Sequence, residues 1–208
     1  MEFTVSYFSP TNNIAILIMA AGSSSRMGTP KQLLPWKDKT LVENVVQSAL
    51  GVSESDVYVV FGANHAPVKE VLMPYDVNTI YNPDWEQGLG NSIACGVKHV
   101  KDLEYDGILI MLADQPLITS EDLENFIIEF NKGGKNILAS KYKNESIGVP
   151  VIFDKSYFEE LSQLNKDKGA KAVIKKHIEH VSVINLSNKL LDIDTKEAYE
   201  KLFKASHQ

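Results

Sequence analysis

Apolar positions along the chain follow two alternating rhythms. Uninterrupted runs at Ile14–Ala20, Val57–Phe61 and Gly107–Leu112 have strand length and no polar face, as in strands buried on both sides. Between them apolar residues recur at helical spacing. Leu41, Val45, Val46 and Ala49 mark a helix from a Thr40 cap to about Leu50, and Leu89–Val100 reads as another. A short helix is predicted over 67–72 and a strand over 77–81. Thr119 or Ser120 caps a helix to Phe130, with Glu121 and Asp122 suiting its positive first turn. Gly133 and Gly134 end that helix, and a strand follows over 136–140. Beyond Lys141 the rhythm changes: 149–153 is extended, 157–164 and 170–177 are helical, 181–186 is a strand and 195–203 a last helix. This alternation predicts a three-layer α/β fold, a mostly parallel sheet with helices on both faces and its ligand site at the carboxyl ends of the strands. The later region is expected to complete the sheet and supply part of an acceptor pocket, so that residues 14–208 form one domain. Residues 1–13 carry no periodic signal and read as a loose leader.

Composition narrows the classes. A chain of 208 residues, 44% hydrophobic and 23% charged, can bury a substantial core. Its formal net charge of −6 argues against a nucleic-acid binder, although a local basic pocket can still receive a small polyanion. One cysteine, Cys95, excludes a disulfide framework and a cysteine metal cluster, and its simplest place is a buried helix position. The apolar run ending at Ala21 is too short to span a membrane, and no basic residue precedes Arg26, as a signal peptide would need. A cytoplasmic protein with no membrane contact is expected. The five histidines show no zinc-like spacing and are assigned no role.

The loop after the first strand carries the most chemistry. Ala20, Ala21, Gly22 and Ser23 are small enough for backbone N–H groups to approach phosphate oxygens, and Arg26 and Lys31 supply positive charge. Lys31 follows Gly28 by three with no Ser or Thr after it, so the loop is not a Walker loop. Ser24 and Ser25 break the dinucleotide fingerprint. Asp114, closing the apolar strand Gly107–Leu112, needs a cation to offset its desolvation, and Mg²⁺ takes one or two carboxylates beside phosphates and water; a plain strand-end cap is the alternative. The segment from Asn82 to Ile93 reads as a turn, a glycine stop and a helix start, where Gly88, the backbone and an exposed Ser92 could meet a base or ribose. Asp192 and Asp194 share a face just before the last helix; Asp194 or Thr195 could simply cap it. Lys166, Lys168, Lys171, Lys175 and Lys176 form a basic run that is either a solvated helix face or a steering patch for an anionic acceptor.

Together these motifs resemble the molybdenum cofactor cytidylyltransferases and, more distantly, their guanylyl and methylerythritol phosphate cytidylyl relatives. The resemblance rests on Ile18-Met19-Ala20-Ala21-Gly22, Arg26-Met27-Gly28 and Lys31-Gln32-Leu33-Leu34-Pro35. It continues through Asn82-Pro83-Asp84-Trp85 with Gly88 and Ser92, Met111-Leu112-Ala113-Asp114-Gln115-Pro116, Gly148-Val149-Pro150-Val151 and Asp192-Ile193-Asp194-Thr195. Ala113 stands where the family has Gly, Lys196 where it has Pro, and Lys171 where it has Arg.

The resemblance implies a Rossmann-like sheet of the nucleotidyltransferase type and a Mg²⁺-dependent transfer of CMP from CTP to the phosphate of molybdopterin, with release of pyrophosphate. Ala20, Ala21, Gly22, Ser23, Arg26, Lys31, Gly88, Ser92 and Asp114 would bind the nucleotide. Arg26, Lys31 and Asp114 would be catalytic, and Asp114 with Asp194 would hold the metal. A molybdoenzyme partner is conceivable on the same ground. Guanylyl transfer and cytidylyl transfer to a sugar or methylerythritol phosphate remain open, as does a silent nucleotide-binding module. A nicotinamide oxidoreductase fits less well, because the second strand ends at Phe61-Gly62 without an acid.

Overall fold

The computed structural model describes residues 12–24, 27–166, 168–191, 193 and 195–206. In chain order it runs β1 (Ile14–Ala20), β2 (Pro35–Trp36), β3 (Lys39–Thr40), α1 (Leu41–Leu50), β4 (Val57–Phe61), α2 (His65–Leu72), β5 (Asn78–Tyr81), α3 (Leu89–Val100), β6 (Gly107–Leu112), α4 (Ser120–Asn131), β7 (Ile137–Lys141), β8 (Ile147–Asp154), α5 (Phe158–Ser162), α6 (Ala170–Lys176), β9 (Val181–Asn185) and α7 (Lys196–Ser206). Short 3₁₀ turns at Lys31–Leu33, Trp85–Gln87, Lys155–Tyr157 and Ile178–His180 join them.

Seven strands form one sheet in the order β5-β4-β1-β6-β8-β7-β9, with β2 and β3 as a separate ribbon. All neighbours are parallel except β8, which runs antiparallel to β6 and to β7. The expected mostly parallel sheet, covered on both faces, is therefore present. Every residue of β1 is buried, and alternate side chains go to opposite layers. Ile14, Ile16, Ile18 and Ala20 pack with α1, α2 and α4; Ala15, Leu17 and Met19 pack with α3, α5 and α6. That two-sided burial is why β1 reads as a continuous apolar run.

Caps fix where the helices begin. Thr40 and Glu43 form a reciprocal capping box on α1, and Thr119 with Asp122 does the same on α4, which settles the cap on Thr119 over Ser120. Helix α2 starts at His65, two residues before Pro67, because a proline in the first turn forfeits no intrahelical hydrogen bond. The segment over 157–164 splits into a 3₁₀ turn and the five-residue α5. Thr195 Oγ1 accepts from Ala198 N at 3.1 Å, so Thr195 performs the capping open to it.

A third cluster lies off the main sheet. Trp36, Leu41, Ile193 and Leu202 are buried together, Trp36 meets Phe203 edge-on, and Tyr199 donates to the Pro35 carbonyl at 2.6 Å. The C-terminal helix α7 thus clamps the ribbon that follows the Lys31 loop. No helix among the described residues is long and apolar enough to cross a membrane.

Candidate active site

The site grows from adjacent strand ends. Met19 of β1 pairs with Leu112 of β6, and Ala113 N donates to the Met19 carbonyl, so the loop after β1 and the turn after β6 leave the sheet side by side. Parallel strands direct their loops to the same edge, which brings Lys31 and Asp114 together across 83 residues of sequence. They form an ion pair. Asp114 is 6% exposed, so the cation that offsets its burial in this structure is the Lys31 ammonium.

Gln32 holds the loop in place. It is buried, and its Nε2 donates to the carbonyls of Ala20 at 3.1 Å and Gly22 at 2.8 Å. Ser24, in a left-handed conformation (φ 56°), accepts from Lys31 N at 2.9 Å and donates to Gln32 Oε1 at 3.3 Å. Gly62, at the end of β4, must be glycine because a Cβ there would lie 2.4 Å from the Ala21 carbonyl oxygen and 2.6 Å from Trp85 Cβ. Beyond the sequence expectations, Gln32 and Gly62 therefore shape the loop. A buried glutamine in a polar stretch leaves no periodic trace, so only its place within Lys31-Gln32-Leu33 hinted at it.

The opposite wall is the start of α3. Gly88 caps that helix at φ 101°, a conformation open to glycine. Asn82, buried, donates through Nδ2 to Asn91 Oδ1 at 2.9 Å and Ser92 Oγ at 3.1 Å, and accepts from Asp84 N at 3.0 Å. Ser92 is consequently buried, not exposed as expected, although it still lines the cavity. Cys95, one turn further on, is half-buried, and burial pushes its thiol up.

Two cavities share one wall. The first, about 360 Å³, is bounded by Ala21, Gly22, Ser23, Lys31, Gln32, Trp85, Gly88, Ser92 and Asp114. The second, about 290 Å³, is bounded by Tyr142, Val149, Gly169, Ala170 and Lys171, and again by Lys31, Leu89, Leu112 and Asp114. Gln115, fully buried, ties the two sides: its Nε2 donates to Tyr142 Oη at 3.2 Å and to the Val149 carbonyl at 3.4 Å. Lys171 Nζ sits 5.5 Å from the Tyr142 ring centroid, a cation–π contact inside the second cavity. The rest of the lysine run diverges, with Lys176 paired to Glu160 and Lys166, Lys168 and Lys175 on the exposed surface.

Among the residues expected at the site, Ala21, Gly22, Ser23, Lys31, Gly88, Ser92 and Asp114 converge on the first cavity. Ala20 lies beneath it, its side chain in the core and its carbonyl held by Gln32. Arg26, Asp192 and Asp194 lie outside the described residues; Ile193 between the two acids is buried against Trp36 and Leu41, beside the ribbon that follows Lys31.

Comparison with known proteins bears on this arrangement. Purine catabolism protein PucB of Bacillus subtilis is 28% identical over 199 residues, covering 91% of this chain and 95% of its own length. Nicotine blue oxidoreductase of Paenarthrobacter nicotinovorans is also 28% identical, over 89% of this chain and 94% of its own. The solved structure of Rv0371c from Mycobacterium tuberculosis superposes with a TM-score of 0.83 at 27% identity, covering 93% of this chain and 98% of that one; a further structure of Rv0371c is a complex with manganese. The family model of the MobA-like NTP transferase domain matches residues 16–181. The chain belongs to the family of MobA-like NTP transferase domains and is a nucleotidyltransferase.

Proposed function

We propose that the protein transfers CMP from CTP to the terminal phosphate of molybdopterin or its molybdenum-loaded form, releasing pyrophosphate. The observation that carries this reading is the Lys31–Asp114 pair on the wall between two adjoining cavities. A nucleotide in the first cavity and an anionic acceptor in the second would meet at that pair, which is the arrangement an in-line displacement at the α-phosphate requires.

Lys31, the N–H groups of the Gly22–Ser23 loop and Arg26 bind the triphosphate on this reading. Gly88 and the first turn of α3 hold the nucleoside, and Lys171 faces the acceptor. A phosphate nucleophile is already deprotonated at neutral pH, so no side chain has to act as general base. The fit to a divalent metal is favourable: Asp114 is a nearly buried carboxylate at a strand end, open to the cavity where phosphates and water would complete an oxygen shell. Asp194 is the proposed second ligand. Bound there, the metal would offset negative charge developing between the α-phosphate and the departing pyrophosphate. The manganese complex of Rv0371c supports a divalent ion without selecting Mg²⁺.

The choice of CTP over GTP rests on Ala21, which lines the first cavity beside Trp85 and whose methyl group would leave less room for a purine than a glycine there. The acceptor rests on family likeness. Pyrophosphate release measured across four NTPs, with and without molybdopterin, tests the whole reading. Release that requires both CTP and molybdopterin supports it. Release with GTP and molybdopterin assigns guanylyl transfer instead, and release that depends on a sugar phosphate or methylerythritol phosphate overturns the acceptor.

A further inference from the structure

Far along the chain from the loop, a second cluster of side chains carries metal-binding chemistry. Helix α6 ends at Lys176, and the chain turns through Ile178–His180 as a 3₁₀ helix. That tight turn brings one ligand atom each of His177, Glu179 and His180 within 4.8 Å of one another. The imidazole rings lie near-parallel, 18° between planes with centroids 6.0 Å apart. Lys135 donates to the Glu179 carbonyl and pins the turn from β7's side.

Each ring has a partner behind it. His177 Nε2 lies 2.8 Å from Glu160 Oε2 of α5, and Lys176 Nζ lies 2.9 Å from Glu160 Oε1. With Glu160 held by the Lys176 ammonium, its carboxylate can accept from His177 Nε2–H, which leaves the Nδ1 lone pair for a metal. His180 Nδ1 lies 2.8 Å from Tyr157 Oη. That phenol can accept from Nδ1–H, which leaves Nε2 to serve as ligand. A hydrogen bond behind each imidazole is how metal-bound histidines are oriented.

We propose that His177, Glu179 and His180 form a surface site for a late first-row divalent cation of the zinc type, oriented by Glu160 and Tyr157. Two imidazoles and a carboxylate are a three-ligand set that zinc accepts, with water in the fourth position. Mg²⁺ prefers an all-oxygen shell, so this site and the carboxylate at Asp114 select different ions. An ion here would lock the C-terminal end of α6, the helix whose first turn brings Ala170 and Lys171 to the second cavity.

The experiment is a zinc titration of the full-length protein against a chromogenic chelator, in excess Mg²⁺, for wild type, Asp114→Asn, His180→Gln and Tyr157→Phe. Cobalt absorption reports the geometry of the bound ion. The His180 side chain is 52% exposed, so its loss should leave the melting temperature of the metal-free protein unchanged. Wild type and Asp114→Asn should take up one equivalent with equal affinity and give the intense cobalt spectrum of a tetrahedral site. His180→Gln should abolish that spectrum and weaken zinc by more than tenfold, and Tyr157→Phe should weaken it by roughly tenfold, as loss of an orienting partner does. Equal zinc binding by wild type and His180→Gln would overturn the site, and so would a zinc equivalent that disappears in Asp114→Asn.

Discussion

Lys31→Ala should destabilise the metal-free protein more than Asp114→Asn, and Mg²⁺ should restore it. The Asp114 side chain is 8% exposed and that of Lys31 21% exposed, so the two ends of the pair stand in different surroundings. Truncating the lysine leaves a nearly buried carboxylate without its ion-pair partner. Breaking a fully buried pair costs about 3–5 kcal/mol, and partial exposure of Lys31 reduces the expectation to roughly 1–3 kcal/mol. Asp114→Asn removes the buried charge and leaves a lysine that can turn toward water, so its cost should stay within about 1 kcal/mol. For a chain of this size each kcal/mol moves Tm by about 2–4 °C.

If Asp114 holds the metal, added Mg²⁺ replaces the missing ammonium in Lys31→Ala. At about 100 times its dissociation constant it should return roughly 2.7 kcal/mol. The double variant, without the principal carboxylate ligand, should gain far less. Urea melts of wild type, both single variants and the double variant, with and without Mg²⁺, read all of this without any substrate. Two results would refute the reasoning: a Lys31→Ala protein no less stable than Asp114→Asn, or equal stabilisation of Lys31→Ala and the double variant by Mg²⁺.

Ala21→Gly should relax discrimination against GTP only partly, since a methyl group in a pocket is worth about 1–3 kcal/mol; an unchanged ratio of kcat/KM for CTP and GTP would remove Ala21 from base selection. Gln32→Leu removes the side-chain donor to the buried Ala20 carbonyl, which should lower stability by about 1–3 kcal/mol and raise KM for the nucleotide, while the exposed Gly22 carbonyl keeps its contact with Asn64 Nδ2. A protein that melts normally and binds CTP normally would show that the loop holds its shape by other means. Burial pushes the Asp122 carboxyl up, but Lys189 and the Thr119 cap outweigh it and hold its folded pKa below the usual 3.8. Its stabilisation is therefore complete above the ordinary carboxylate range and is lost as pH falls through the lower, folded value. Asp122→Asn should cost about 1–2 kcal/mol near pH 7, and the gap from wild type should shrink in urea melts carried below the carboxylate range; a gap independent of pH would refute the linkage.

How much of this was legible depends on how far each determinant reaches along the chain. Strand β1 announced itself because both its faces are covered, and the α1 and α4 caps because Thr40 with Glu43 and Thr119 with Asp122 are local pairs. The convergence of Lys31 and Asp114 followed from parallel topology, since both leave the same edge of the sheet. Their direct pairing did not follow, because a motif gives the residue types at a site and not their partners. The antiparallel direction of β8 was equally hidden, for its apolar run has no sense of direction. Ser92 was misjudged as exposed because its burial comes from Asn82, ten residues away across a turn. The histidines were passed over because His177 and His180 stand three apart at a helix end, and it is the 3₁₀ turn, with Glu160 and Tyr157 behind it, that gives the spacing meaning.

The Lys31–Asp114 pair also bears on the order in which charge enters the site. Before ligand arrives the two groups neutralise each other beside low-dielectric walls formed by Leu89, Leu112 and Val149. On the proposed reading, a triphosphate alone would draw Lys31 away and leave Asp114 as a bare carboxylate facing phosphate oxygens, an arrangement that opposes binding. A divalent ion alone would gain the carboxylate but set a second cation beside the ammonium. Arriving together, the phosphates take Lys31 and the metal takes Asp114, so each charge exchanges one partner for another. On that reading the pair makes nucleotide and metal mutually supportive, because each removes the penalty that the other would impose alone.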